Sequence, residues 1–127
     1  MARVLILGQD PDTVDFTAPG IIPGMTADKV RAGLAVARKQ LEDAGHTVGE
    51  CMTDPGETAE ATVAAALAAA DYDVVVIGAG IRNPPNNLGL LETVINAVHR
   101  HAPNAAIAFN TRPDDSAAAA ERWLARR

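Results

Sequence analysis

The chain reads as a three-layer α/β domain built on a four-stranded parallel sheet of order 2-1-3-4, and two observations predict this. The run Val74-Val75-Val76-Ile77 is unbroken β-branched sequence between Asp73 and Gly78. A strand buried on both faces needs such a run, whereas a strand with one wet face would alternate. Four strand-like segments alternate with longer stretches of helical period, and the order βαβαβαβα demands parallel strands joined by right-handed crossovers.

Each element follows from local pattern. Arg3-Val4-Leu5-Ile6-Leu7 predicts strand one, followed by an unusually long connection from Gly8 to Met25. The first helix spans Ala27 to Ala44, with Thr26 as N-cap, Val30, Leu34, Ala37, Leu41 and Ala44 on one stripe, and Gly45 as the stop. Strand two, Thr47 to Met52, ends in the turn Asp54-Pro55-Gly56. A second helix, Thr58 to Ala70, offers an alanine-rich body for close packing on a sheet. Strand three is Val74 to Ile77. The third helix, Leu88 to His99, is capped by Asn86 or Asn87 and buries Leu91, Val94, Ile95 and Val98. Strand four is Ala105 to Phe109. A fourth helix follows Asn110-Thr111-Arg112-Pro113, with Asp114 as N-cap and Ala117, Ala120, Trp123 and Leu124 inward.

The strand order is flavodoxin-like, with helices one and four on one face and helices two and three on the other. It places the topological switch point between strands one and three. Nothing suggests a second domain: residues 1–127 form one, long enough to bury a core without a disulfide or metal.

Composition narrows the functions. A net charge of −5 argues against a nucleic-acid backbone or an anionic membrane as partner, because both need a concentrated positive field. At 3% aromatic content, stacking platforms for bases are nearly absent. The single cysteine, Cys51, falls in strand two as a small core residue, and with no intramolecular disulfide possible a reducing, cytoplasmic setting is expected. The N-terminal apolar run is too short for a signal segment, and no stretch approaches the roughly 20 residues that span a membrane.

In such a fold, loops converge at the carboxyl edge of the sheet. They carry Gln9, Asp10, Asp12 and Asp15, then Thr53 and Asp54, then Gly78, Gly80, Arg82, Asn83, Asn86 and Asn87, then Asn110, Thr111 and Arg112. Arg82 and the start of helix three would suit a carboxylate or phosphate, with Asn83 and Asn110 orienting it and Arg112 and Thr111 nearby. The same asparagines could instead serve only as caps, and Pro84-Pro85 only as a stiff loop. The Gly8 to Met25 connection carries Phe16, Ile21, Ile22 and Met25 among prolines, where βα loops usually take about two to six residues. It is a lid over the edge, a patch for a second subunit, or a passively packed loop.

Sharper motifs are incomplete. Asp10-Pro11-Asp12-Thr13-Val14 resembles the Asp-x-Asp-x-Thr/Val signature of haloacid-dehalogenase-type phosphotransferases, in which the first aspartate is the nucleophile and the pair binds Mg²⁺. The likeness spans five residues. A proline fills its first variable position, and neither Lys29 nor Lys39 lies at another strand end to serve as that family's lysine. Asp10 and Asp12 stay as acid–base or metal-binding candidates. Response-regulator receivers share the fold, and Thr111 matches their strand-four hydroxyl, but Gly78 to Gly80 occupies the phosphoacceptor region and a fifth strand is missing. Gly78-Ala79-Gly80 follows strand three rather than strand one, and Asn83 holds the position of the third dinucleotide-binding glycine. The flavodoxin phosphate loop is absent. No cofactor is identified, and His46, His99 and His101 lack a metal-ligand spacing.

Two functions fit: a small-molecule site for a carboxylate- or phosphate-bearing ligand at the edge of strands one, three and four, or a receiver-shaped interaction or regulatory module. A sheet ending at strand four leaves an unpaired edge, so a homodimer is expected.

Overall fold

The computed structural model describes residues 1–126. Its elements are β1 (Arg3–Gln9), α1 (Ala27–Asp43), β2 (Thr47–Thr53), α2 (Ala59–Ala68), β3 (Val74–Ile77), α3 (Ala79–Arg82), α4 (Leu88–His101), β4 (Ala106–Phe109) and α5 (Ser116–Leu124). Short 3-10 turns occupy Pro11–Thr13, Pro85–Asn87 and Pro113–Asp115. The four strands are all parallel in the order β2-β1-β3-β4, so β1 and β3 meet at the switch point as the sequence predicts.

The pleat sorts the core into two layers. Leu5, Leu7, Val75 and Ile77 face α2 and α4, meeting Val63, Leu67, Val94 and Val98. Val4, Ile6, Val74 and Val76 face α1 and α5, meeting Ala37, Leu41, Ala117 and Ala120. Every residue of β3 is fully buried, which is why that strand is apolar on both faces. Burying each such side chain stabilises the fold by about 1.5 to 3 kcal/mol. Alanines on α5 let that helix lie close to the sheet. Cys51 packs within the α2 and α4 layer, and burial pushes its thiol pKa up. Among the described residues no helix is long and apolar enough to cross a membrane.

Several boundaries differ from the sequence expectation, each for a tertiary reason. β1 runs on to Gln9 because β2 extends to Thr53 and supplies ladder partners for Gly8 and Gln9. The Asp10 N–H then donates to the Thr53 carbonyl at 2.7 Å. The segment after β3, expected as plain loop, contains the one-turn helix α3, whose Ile81 is fully buried in the α2 and α4 layer. Asn87 precedes α4, but its side chain does not cap it, and Asp114 is not the N-cap of α5 either, since Asp115 holds that position. Trp123, expected inward, is 36% exposed and lies under the Arg126 guanidinium, 4.5 Å from the ring centroid. Ala44, expected on the buried stripe of α1, is exposed.

Both sheet edges carry an arginine. Arg38 of α1 donates to the outward carbonyl of Val48 on β2 at 3.0 Å, and Arg122 of α5 donates to that of Phe109 on β4 at 2.9 Å. A helix packed on a sheet face can therefore satisfy part of a strand edge by reaching round it with a long side chain.

Candidate functional site

The long connection folds back over its own domain. Val14, Phe16, Ile21 and Met25 come down beside Ile6, Leu7, Met52 and Ala79 and enclose a cavity of about 80 Å³ at the carboxyl ends of β1 and β3. Ile22 lines it too, yet stays 38% exposed at the rim. The loop holds its shape through local bonds, with the Asp15 carboxylate accepting from the Thr17 hydroxyl at 2.6 Å and from its N–H at 2.9 Å. These bonds, the hydroxyl first, keep the Asp15 carboxyl below the usual range. Gly20, at φ 89°, lies so close to the Asn83 carbonyl that a Cβ there would come within 2.5 Å of its oxygen. The loop tip thus packs closely against the backbone of the segment after β3, with no room for a side chain at Gly20.

Two amides staple the floor. The Asn87 side chain donates to Gln9 Oε1 and to the Gly80 carbonyl, both at 2.9 Å, joining the loops after β1 and β3. Gln9 spends its own N–H groups on the Thr13 carbonyl and hydroxyl. Asn110 is buried at 4% exposure; its Oδ1 accepts from the Ala79 N–H at 2.7 Å and its Nδ2 donates to Ser116 Oγ at 2.9 Å. Buried amides with both ends satisfied rigidify their surroundings.

The expected site residues divide accordingly. Gly78, Gly80, Asn83, Asn110 and Arg112 line the cavity. Arg82 does not: its Nη1 donates to the Asn110 carbonyl at 2.8 Å and its guanidinium lies over the Phe109 ring at 5.3 Å. Asn86 is exposed beyond the wall. Thr111 donates its hydroxyl to Asp115, which also accepts from the Thr111 N–H at 3.0 Å, forming a turn before α5. Asp10 caps the Pro11–Thr13 turn by accepting from the Asp12 N–H at 2.9 Å, and Asp12 pairs with Arg31 at 2.8 Å on the outer side of the loop. Neither aspartate reaches the cavity, whose titratable wall residue, among the described residues, is Arg112. Arg112 stays 61% exposed and pairs with Asp114 at 2.8 Å. Pro11, Val14, Met52 and Pro113 also line the wall; Pro11 and Val14 belong to the same long connection as Phe16 and Ile21, whereas no local pattern marks Met52 or Pro113 for it.

No known protein family matches the chain, and no curated protein matches it.

Proposed function

We propose that this protein binds a small organic molecule with a compact apolar body and one anionic end, seated under the Asp10–Met25 loop at the carboxyl ends of β1 and β3. The observation that carries this reading is the apolar chamber itself, since a loop of this length folded over a switch point is how open α/β sheets build ligand sites. The body would meet Phe16, Ile21 and Met52, while the anion would meet Arg112 and the Asn83 amide at the mouth. Arg112 would exchange an exposed pairing with Asp114 for the ligand, a low-cost swap because exposed ion pairs contribute about 0 to 1 kcal/mol. With the carboxylates of Asp10 and Asp12 engaged elsewhere, the reading favours binding over acid–base catalysis in this chamber.

Amide NMR spectra recorded while adding butyrate, benzoate or phenyl phosphate test this. The expected result is saturable shifts clustered at Gly8, Ile21, Gly78 and Gly80, lost in a folded Ile21→Asp variant. Shifts absent at millimolar probe, or scattered over the surface, would overturn it.

A further inference from the structure

Along β4, residues alternate between pointing their backbone groups at β3 and pointing them outward. Ala106 and Asn110 donate to Asp73 and Ile77 across the ladder, so Ile107 and Phe109 turn their N–H and C=O groups away from the sheet. Arg122 meets the Phe109 carbonyl. The Ile107 N–H and C=O and the Phe109 N–H have no protein partner among the described residues. Phe109 and Trp123 are each 36% exposed, Phe109 on β4 itself and Trp123 on the helix that packs against it.

Three arginines flank this edge. Arg82 covers the Phe109 ring, Arg122 holds the strand end and Arg126 covers the Trp123 ring. Among the described residues none of these three arginines makes an ion pair with a carboxylate, so their charge is available to a partner. On a chain of net charge −5, a strand edge flanked by unpaired guanidinium groups is a local reversal of sign. A second copy adding at β4 through a two-fold axis would bring a second set of the same three arginines to this edge, which costs free energy. An acidic strand would not.

We propose that β4 is a docking edge for an extended acidic peptide segment of another protein, which adds as a fifth strand. Its backbone pairs with Ile107 and Phe109, and its carboxylates meet Arg82, Arg122 and Arg126. The site adjoins the loop-covered chamber, since Arg82 bonds the Asn110 carbonyl, but it uses none of the residues that line that chamber.

Trp123 is the single tryptophan, so tryptophan fluorescence, excited selectively over that of Tyr72, reports on this edge. The whole chain is titrated with an octapeptide of two Glu-Glu-Val-Val repeats, which puts carboxylates on both faces of the added strand, and separately with its Lys-Lys-Val-Val counterpart. Saturable fluorescence and amide shifts at Ile107 and Phe109 are expected with the acidic peptide only. Arg122→Ala and Arg126→Ala, both exposed, should each weaken binding several-fold, and together by more than about tenfold. Equal response to both peptides, or acidic-peptide shifts that avoid Ile107 and Phe109, overturns the proposal. So does a dimer by light scattering that Ile107→Pro converts to monomer, because the edge would then belong to a second copy.

Discussion

The Oδ1 of Asn110 accepts the Ala79 N–H at 2.7 Å across the boundary between β3 and β4. That bond joins the first turn after β3 to the residue just past the end of β4. Both ends of the amide are used, and the residue is 4% exposed. Asn110→Ala should cost about 1 to 3 kcal/mol, because it takes the partner from the half-buried Ala79 N–H and removes the buried bond to Ser116. Urea unfolding measures it; a loss under 1 kcal/mol would mean that water replaces the amide.

Gly20 and Gly24 separate two sources of strain in the loop. Both have positive φ, but only Gly20 faces a neighbour, the Asn83 carbonyl. Gly24→Ala should cost about 1 kcal/mol from backbone conformation alone. Gly20→Ala adds a clash with backbone, so it should either cost roughly 2 kcal/mol or more, or lift the loop. Hydrogen exchange distinguishes these outcomes by whether protection falls globally or only at 14–25. Equal effects of the two substitutions would count against the close contact.

Arg82 and Arg112 should behave differently. Arg82→Ala removes a hydrogen bond to the Asn110 carbonyl and a stacked ring, and should lower stability by about 1 to 2 kcal/mol. Its effect on binding of benzoate or phenyl phosphate should be within twofold. Arg112→Ala should leave stability nearly unchanged and weaken binding about tenfold, the loss of one charge-assisted hydrogen bond at an exposed mouth. Thermal shift with and without probe reads both. The reverse pattern would return the anion to Arg82.

Asp54 sets a pH dependence. The Thr58 hydroxyl donates to its carboxylate at 2.6 Å and the Gly56 N–H at 3.1 Å, and the hydroxyl above all holds the carboxyl below its ordinary value. A depressed folded-state value means stabilisation fully present above the unfolded pKa of about 3.9, and lost as pH falls through the folded value. Thr58→Val should therefore flatten the acid limb of the stability curve below about pH 4 and leave its slope near neutrality unchanged. Parallel curves for variant and wild type would show that the hydrogen bond does not bias the carboxylate.

The sheet order, the pairing of helices with faces and the central position of β3 were legible in the sequence, because hydrophobic period and turn chemistry are local properties. Val74 to Ile77 could be nothing but a doubly covered strand, and the stripe through Ala37 and Leu41 had to meet a sheet. That the long connection was unusual could be read from its length and from Phe16 and Ile21. Where it went could not. Its descent onto β1 and β3 depends on contacts such as Gly20 with Asn83, far apart in the chain, and no local pattern encodes them. Polar side chains show the same division more sharply. Arg82, Asn87 and Asn110 were visible as a polar group at the right edge, but whether each faces a ligand or a neighbour was decided by partners that only the folded chain brings within 3 Å: the carbonyl of Asn110, the amide oxygen of Gln9 and the N–H of Ala79. Apolar burial is non-directional and roughly additive, so sequence period predicts it. Hydrogen bonds are directional and selected among distant candidates, so tertiary structure alone assigns them.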